Sequence, residues 1–162
     1  MPLPGSTLKV VDAAREAGLQ IDVSEFPDGT KTASEAAAAI GCPVGAIVKS
    51  LVFMVDDWPV LALVPGDRRL DPDLLAGAAQ GAEVRRATLD EVRSFTGFAA
   101  GGTPPFGHAG RLKIFADVAL RRHDPVWAAA GTPTTVFEIS LESLEMVSRP
   151  TWVALSTEPA SS

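Results

Sequence analysis

The sequence predicts an α+β (mixed α/β) fold in which a largely antiparallel, mixed sheet is covered by helices. Two features carry this reading. Apolar runs that suit strands, at residues 19–26, 47–55, 60–64 and 134–139, alternate with short helical segments opened by Thr or Asp caps. Short turn-rich connections, such as Asp56-Asp57 and Gly131-Thr132-Pro133, join neighbouring strands, which favours antiparallel pairing. With 162 residues, 46% of them hydrophobic and 21% charged, the chain suits one globular domain. Such a length buries roughly two-thirds of the unfolded surface in a single core. The domain is expected over residues 1–150, with 151–162 as a loosely held, Ser/Thr/Pro-rich tail.

In order, residues 6–17 read as a helix stopped by Gly18. Residues 19–26 alternate as a half-exposed strand and lead to a turn at Pro27-Asp28-Gly29. Thr32-Ala33-Ser34-Glu35 has the capping-box spacing and opens an alanine-rich helix ending at Gly41. Strand 47–55 is followed by a turn over residues 56–59 and a returning strand, 60–64. Asp71-Pro72 starts a helix whose Leu74 and Leu75 are expected in the core. A short strand, 82–85, precedes a second capping box at Thr88 and Glu91, with its helix running to Phe95. Residues 101–110 hold four glycines and two prolines, too many for a helix or a central strand. Strand 112–115, a hairpin of 126–130 with 134–139, and a helix over 141–147 complete the domain.

Composition excludes several function classes. No apolar run approaches the roughly 20 residues of a membrane span, and the first residues lack a signal peptide's basic start and apolar core. The single Cys42 allows no internal disulfide, which fits a cytoplasmic protein. One Cys and two His (His108, His123) provide no Cys/His zinc cage, and no metal or other cofactor is expected. The net charge of −6 argues against a general nucleic-acid coat protein, and no DNA binding is expected. The basic pairs Arg68-Arg69, Arg85-Arg86 and Arg121-Arg122 read as solvated faces. No G-x-G-x-x-G follows a strand, so dinucleotide binding has no support.

Two features carry chemistry. Lys49 interrupts strand 47–55 and shares its face with Leu51, Phe53 and Val55. An ammonium there must snorkel, pair with a carboxylate, lower its pKa or await an anionic or carbonyl ligand. The segment Gly101-Gly102-Thr103-Pro104-Pro105 lets backbone amides approach a ligand closely, with the prolines stiffening the loop. His108 is a possible acid/base beside the loop, although a lone His more often packs or faces solvent. Cys42 lacks a partner His, and Ser50 and Thr103 lack a nucleophile elbow. A lysine and a rigid glycine loop without a protein nucleophile suit a site that binds and polarises an ester. The attack is then left to water or to the substrate's own hydroxyl.

Four blocks in register resemble the YbaK/ProX-type aminoacyl-tRNA deacylases, a domain also inserted in bacterial prolyl-tRNA synthetases. They are residues 32–37, residues 40–53 around Lys49, residues 64–71, and residues 101–107; the likeness spans about 6–147. The resemblance implies the YbaK editing-domain fold and a trans-editing hydrolase for a small non-cognate amino acid, typically on proline tRNA. Its partners would be the 3′ end of the aminoacyl-tRNA and prolyl-tRNA synthetase. Editing of this kind compensates for a synthetase pocket that separates small side chains poorly. Lys49 matches the family's functional lysine and Gly101–Pro105 its G-x-x-x-P loop. The resemblance further implies substrate contacts from Thr32, Ser50, Gly101, Gly102, Thr103, Pro104, Pro105 and Gly131, with Phe26 as a further contact.

The chain also departs from the pattern. Residues 131–134 replace the Gly-Lys-Arg-Gly-like turn of members acting on cysteinyl-tRNA, Phe26 replaces a common tyrosine, and Ser50 a frequent threonine. Cysteinyl specificity is therefore not carried over; alanine, serine, threonine or a small non-protein amino acid remains open. The rival expectation on the same fold is a non-catalytic module that binds a tRNA end or a synthetase.

Overall fold

The computed structural model describes residues 3–26 and 32–158. The turn expected at residues 27–29 lies outside them. Helices α1 (Gly5–Glu16), α2 (Ala33–Ile40), α3 (Pro72–Ala79), α4 (Leu89–Thr96) and α5 (Leu141–Ser148) alternate with ten strands. The capping signals are used: Thr32 Oγ1 accepts from Glu35 N at 3.1 Å, and Asp71 Oδ1 from Asp73 N at 2.9 Å. Thr88 and Glu91 close both halves of a capping box. Each such cap supplies an acceptor to an otherwise unpaired helix amide, worth about 1 kcal/mol.

The central sheet contains β5 (Val84–Arg86), β2 (Val48–Val55), β3 (Trp58–Pro65), β6 (Lys113–Asp117) and β9 (Thr151–Val153), in that spatial order. β2 pairs antiparallel with β3 and β5, whereas β3–β6 and β6–β9 are parallel. A second sheet places β8 (Thr135–Ile139) between β1 (Val23–Glu25) and β7 (Val126–Ala129), all antiparallel. β4 (Arg69–Leu70) pairs with β10 (Ser156–Thr157). The fold is therefore the mixed, largely antiparallel α+β arrangement expected.

β3 is apolar almost throughout because both of its faces are covered. Leu61 and Leu63 face a core shared with α1, α5 and the second sheet; Ala62 and Val64 face Leu75 of α3. Each fully buried leucine contributes roughly 1.5–3 kcal/mol from lost apolar hydration. Among the described residues, no helix is long and apolar enough to cross a membrane.

Several local expectations are corrected. Strand 19–26 contracts to Val23–Glu25. Trp58 and Pro59 are not turn residues: they pair with Val55 and Met54, so Asp56 and Asp57 alone make the turn. Leu74 is 37% exposed, and Leu75 alone fills the core from that pair. Residues 151–158 are not a loose tail. β9 extends the central sheet, β10 pairs with β4, and Leu155 between them is fully buried. Backbone pairing holds this segment where side-chain periodicity gave no signal.

Candidate functional site

The start of β2 lies where the two sheets meet, joined by a parallel bridge between Ile47 and Trp127. Register places Lys49 opposite Val64 of β3. Its Nζ donates to the Arg68 carbonyl at 2.7 Å. Neither of the two ion pairs among the described residues involves Lys49. Burial lowers its pKa, Arg86 and Arg69 lower it further, and Asp67 opposes them. Of the ammonium's three N–H donors, one serves Arg68; the others are available to a ligand.

A cleft of about 360 Å³ opens beside Lys49. Thr32, Ser50, Gly101 and Thr103 line it, together with Arg86, Trp127 and Pro133. Ser50 Oγ is buried and has no hydrogen-bond partner among the described residues. A buried orphan hydroxyl costs free energy, so one on a residue that lines a cleft marks a candidate ligand position. On the glycine loop, Gly102 N donates to Ala99 O at 2.9 Å, and Thr103 Oγ1 donates to Ala99 O at 3.0 Å. The Gly102 amide is thus consumed by the loop's own turn, contrary to the expectation that three successive amides face a ligand. Those of Gly101 and Thr103 have no partner among the described residues.

Gly102, Pro104, Pro105 and Gly131 are absent from the cleft wall and support it from behind. A Cβ on Gly102 would lie 2.6 Å from Thr132 Cα, so only glycine lets the loop meet the 131–132 backbone. Gly131 adopts φ +95° and rests on the Ser6 carbonyl, where a Cβ would come within 2.6 Å. Pro105 O accepts from Ser148 Oγ at 2.8 Å. His108 Nε2 bonds to Pro104 O at 2.7 Å, and burial lowers the imidazole's pKa. It anchors the loop and does not reach the cleft. Phe26 also lies off the cleft, its amide donating to Thr134 O at 2.8 Å. Burial raises the Cys42 thiol pKa, leaving it protonated and a poor nucleophile.

The residue reasoning missed most clearly is Arg86. Strand alternation sends Arg85 and Arg86 to opposite faces. Arg85 forms a bidentate pair with Glu91 at 2.7 and 2.8 Å. Arg86 instead lies over the Phe53 ring, 5.9 Å from its centroid, and lines the cleft beside Lys49. Arg68, Arg69 and Arg86 join Lys49 around an adjoining depression of about 370 Å³. A larger cleft, about 730 Å³, lies at the far end of β2 against Trp58, Arg111 and Lys113. It contains none of the converging groups, so chemistry rather than size selects the Lys49 cleft. Among the described residues, no group of three or more His, Cys, Asp or Glu side chains is placed to hold a metal ion.

An aminoacyl-tRNA editing domain model matches residues 27–146, and the chain belongs to that family. A solved candidate trans-editing enzyme for prolyl-tRNA synthetase is 39% identical, with a TM-score of 0.91 over 96% of this chain and 99% of that one. The uncharacterised protein YwhH of Bacillus subtilis is 32% identical over 124 residues, which are 76% of this chain and 78% of that protein. The proline–tRNA ligase of Nitratidesulfovibrio vulgaris is 36% identical over 122 residues, 74% of this chain. The match spans about a fifth of that ligase, 21% of its length.

Proposed function

We propose that this protein is an aminoacyl-tRNA deacylase that hydrolyses the ester of a small, non-cognate amino acid, on proline tRNA. One observation carries the reading: Lys49, Ser50, and Gly101 and Thr103 of the glycine loop border the same cleft. That set supplies positive charge and hydrogen-bond donors for an ester whose carbonyl becomes an oxyanion. The cleft wall contains no Asp, Glu, His or Cys among the described residues, and on this reading the attack falls to water. Water attacks the acyl carbon, and the 2′-hydroxyl of the terminal adenosine orients it. The oxyanion is stabilised by Lys49 and the free loop amides. The acyl–oxygen bond then breaks, and the proton given up by the attacking water passes to the departing 3′-oxygen.

Lys49 anchors the terminal nucleotide or the ester end, while Arg68, Arg69 and Arg86 favour phosphate nearby. Thr32 and Ser50 contact the substrate, and Gly102, Pro104, Pro105 and Gly131 hold the loop in register. Prolyl-tRNA synthetase is the natural source of the mischarged substrate.

Proline tRNA charged separately with alanine, cysteine, serine, threonine or proline tests the reading, with ester loss followed beside Lys49→Ala. Selective loss of one non-cognate amino acid, abolished by Lys49→Ala without loss of fold, is expected. Binding of the tRNA end with no cleavage of any ester, even with synthetase present, would replace it with the non-catalytic module.

A further inference from the structure

We propose that Ser156 in β10 is a positioning residue for Lys49, acting through Arg68; this rests on the deacylase reading above. Ser156 lies outside residues 27–146, the part of the chain that matches the editing-domain family. Its segment is nevertheless built into the floor behind the lysine.

A lysine side chain is long and flexible, and its ammonium is confined only as well as its acceptor is. That acceptor is the Arg68 carbonyl, in the turn between β3 and β4. Arg68 N donates to Pro65 O at 3.1 Å, and Gly66 N donates to Ile47 O at 2.8 Å, tying the turn to the start of β2. The other side of the turn is held from β10. Arg68 Nε donates to Ser156 Oγ at 2.7 Å and its Nη2 to Ser156 O at 3.1 Å. Register places Ser156 opposite Leu70 and Thr157 opposite Arg69, immediately after the residue that holds Lys49.

The Ser156 hydroxyl is itself fixed. Having one proton, it donates to Asp117 Oδ2 and accepts from the Arg68 guanidinium. Asp117 is 2% exposed, and its other oxygen accepts from Ala119 N at 3.1 Å. A hydroxyl between a buried carboxylate and a guanidinium is not a free rotor, because both bonds are charge-assisted. The order of constraint is therefore Asp117, Ser156, Arg68 and Lys49. Ser156→Ala removes the central link, leaves Asp117 and Arg68 each short of a partner, and lets the 65–68 turn relax. A displacement near 1 Å at a reacting group lowers rate by up to about a hundredfold.

The test compares wild type, Ser156→Ala, Ser156→Thr and the exposed-neighbour control Thr157→Ala, each as full chain and each checked by thermal unfolding. Two readouts are followed: steady-state deacylation, and the NMR titration of the Lys49 side chain in the free protein. Ser156→Ala is expected to lower kcat at least tenfold with a smaller change in KM, and to displace the Lys49 titration. Ser156→Thr, which keeps the hydroxyl, restores both, and Thr157→Ala changes neither. A folded Ser156→Ala protein with wild-type kcat and an unmoved Lys49 titration overturns the proposal. So does a loss of kcat that tracks reduced thermal stability and is not restored by threonine. If the wild-type protein cleaves no ester, the deacylase reading fails, and the Lys49 titration alone decides whether Ser156 positions it.

Discussion

Gly102→Ala isolates the contribution of loop placement to the site. A methyl at residue 102 would lie 2.6 Å from both Thr132 Cα and N, and 2.7 Å from Gly131 C. Ordinary contact begins near 3.4 Å, so the loop must retreat by roughly 0.8 Å, and the atoms in its way are backbone. Overpacking of this size costs about 1–3 kcal/mol of stability. A retreat of nearly 1 Å also draws the Gly101 and Thr103 amides from the ester, predicting a loss of roughly tenfold to a hundredfold in kcat/KM. Gly77→Ala in α3 is the control, because nothing lies within 4 Å of its Cβ and it is not part of the cleft wall. Deacylation rates on saturating and subsaturating aminoacyl-tRNA, with thermal unfolding of each variant, measure both effects. Equal, near-wild-type kcat/KM for the two variants would refute the claim that loop register positions the reacting group.

Other substitutions separate stability from function. Ser50→Ala removes a buried hydroxyl that has no partner among the described residues. The free protein should keep its stability or gain about 1 kcal/mol, seen as unchanged or raised Tm, while kcat/KM falls roughly twofold to tenfold from one lost ligand hydrogen bond. Arg86→Gln removes a like charge that lowers the Lys49 pKa, so that pKa rises. Activity needing the ammonium is lost as pH rises through this pKa; the alkaline limb of kcat/KM should therefore move to higher pH, after subtraction of spontaneous ester hydrolysis. Arg85 holds the Glu91 carboxyl down to about 2 from its ordinary 4.5. A depressed carboxyl stabilises the fold above its unfolded pKa and loses that effect as pH falls through the folded value. Thermal unfolding should thus show a wild-type advantage over Glu91→Gln at neutral pH that fades below 4.5 and is gone below about 2.

The parts of the fold legible in sequence were those encoded within a few residues of one another. Thr88 with Glu91, and Asp71 before Pro72, mark helix starts because a cap satisfies amides two or three residues away. The β2–β3 hairpin is also local. The parallel pairings of β6 with β3 and β9 are not, because their partners lie far apart in sequence and no short turn joins them. Lys49 was legible as an apolar strand's lone charge, and the glycine loop by composition. The direction of the Gly102 amide was not, since it depends on the loop's own turn. Arg86 was concealed by its neighbour: both arginines are exposed, but strand alternation puts them on opposite faces, and only Arg86 borders the Lys49 cleft. Ser156 was concealed because two strands of two residues, β4 and β10, carry too few side chains to show a period.

The electrostatics of the cleft oppose those of the whole chain, and that opposition bears on how the site works. A net charge of −6 weakly repels a polyanion at long range, and salt screens this beyond about 8–10 Å. Lys49, Arg68, Arg69 and Arg86 surround one small depression, so attraction is concentrated at short range. Such a distribution favours the end of a nucleic acid that enters the cleft over a duplex lying across the surface. The same cations disfavour one another: Arg86 and Arg69 both lower the Lys49 pKa. An anionic ligand reverses the balance, because its charge offsets the mutual repulsion and favours the ammonium. On the deacylase reading, the lysine is therefore most fully charged when substrate occupies the cleft. Empty, the site holds its cations at an electrostatic cost that substrate binding relieves.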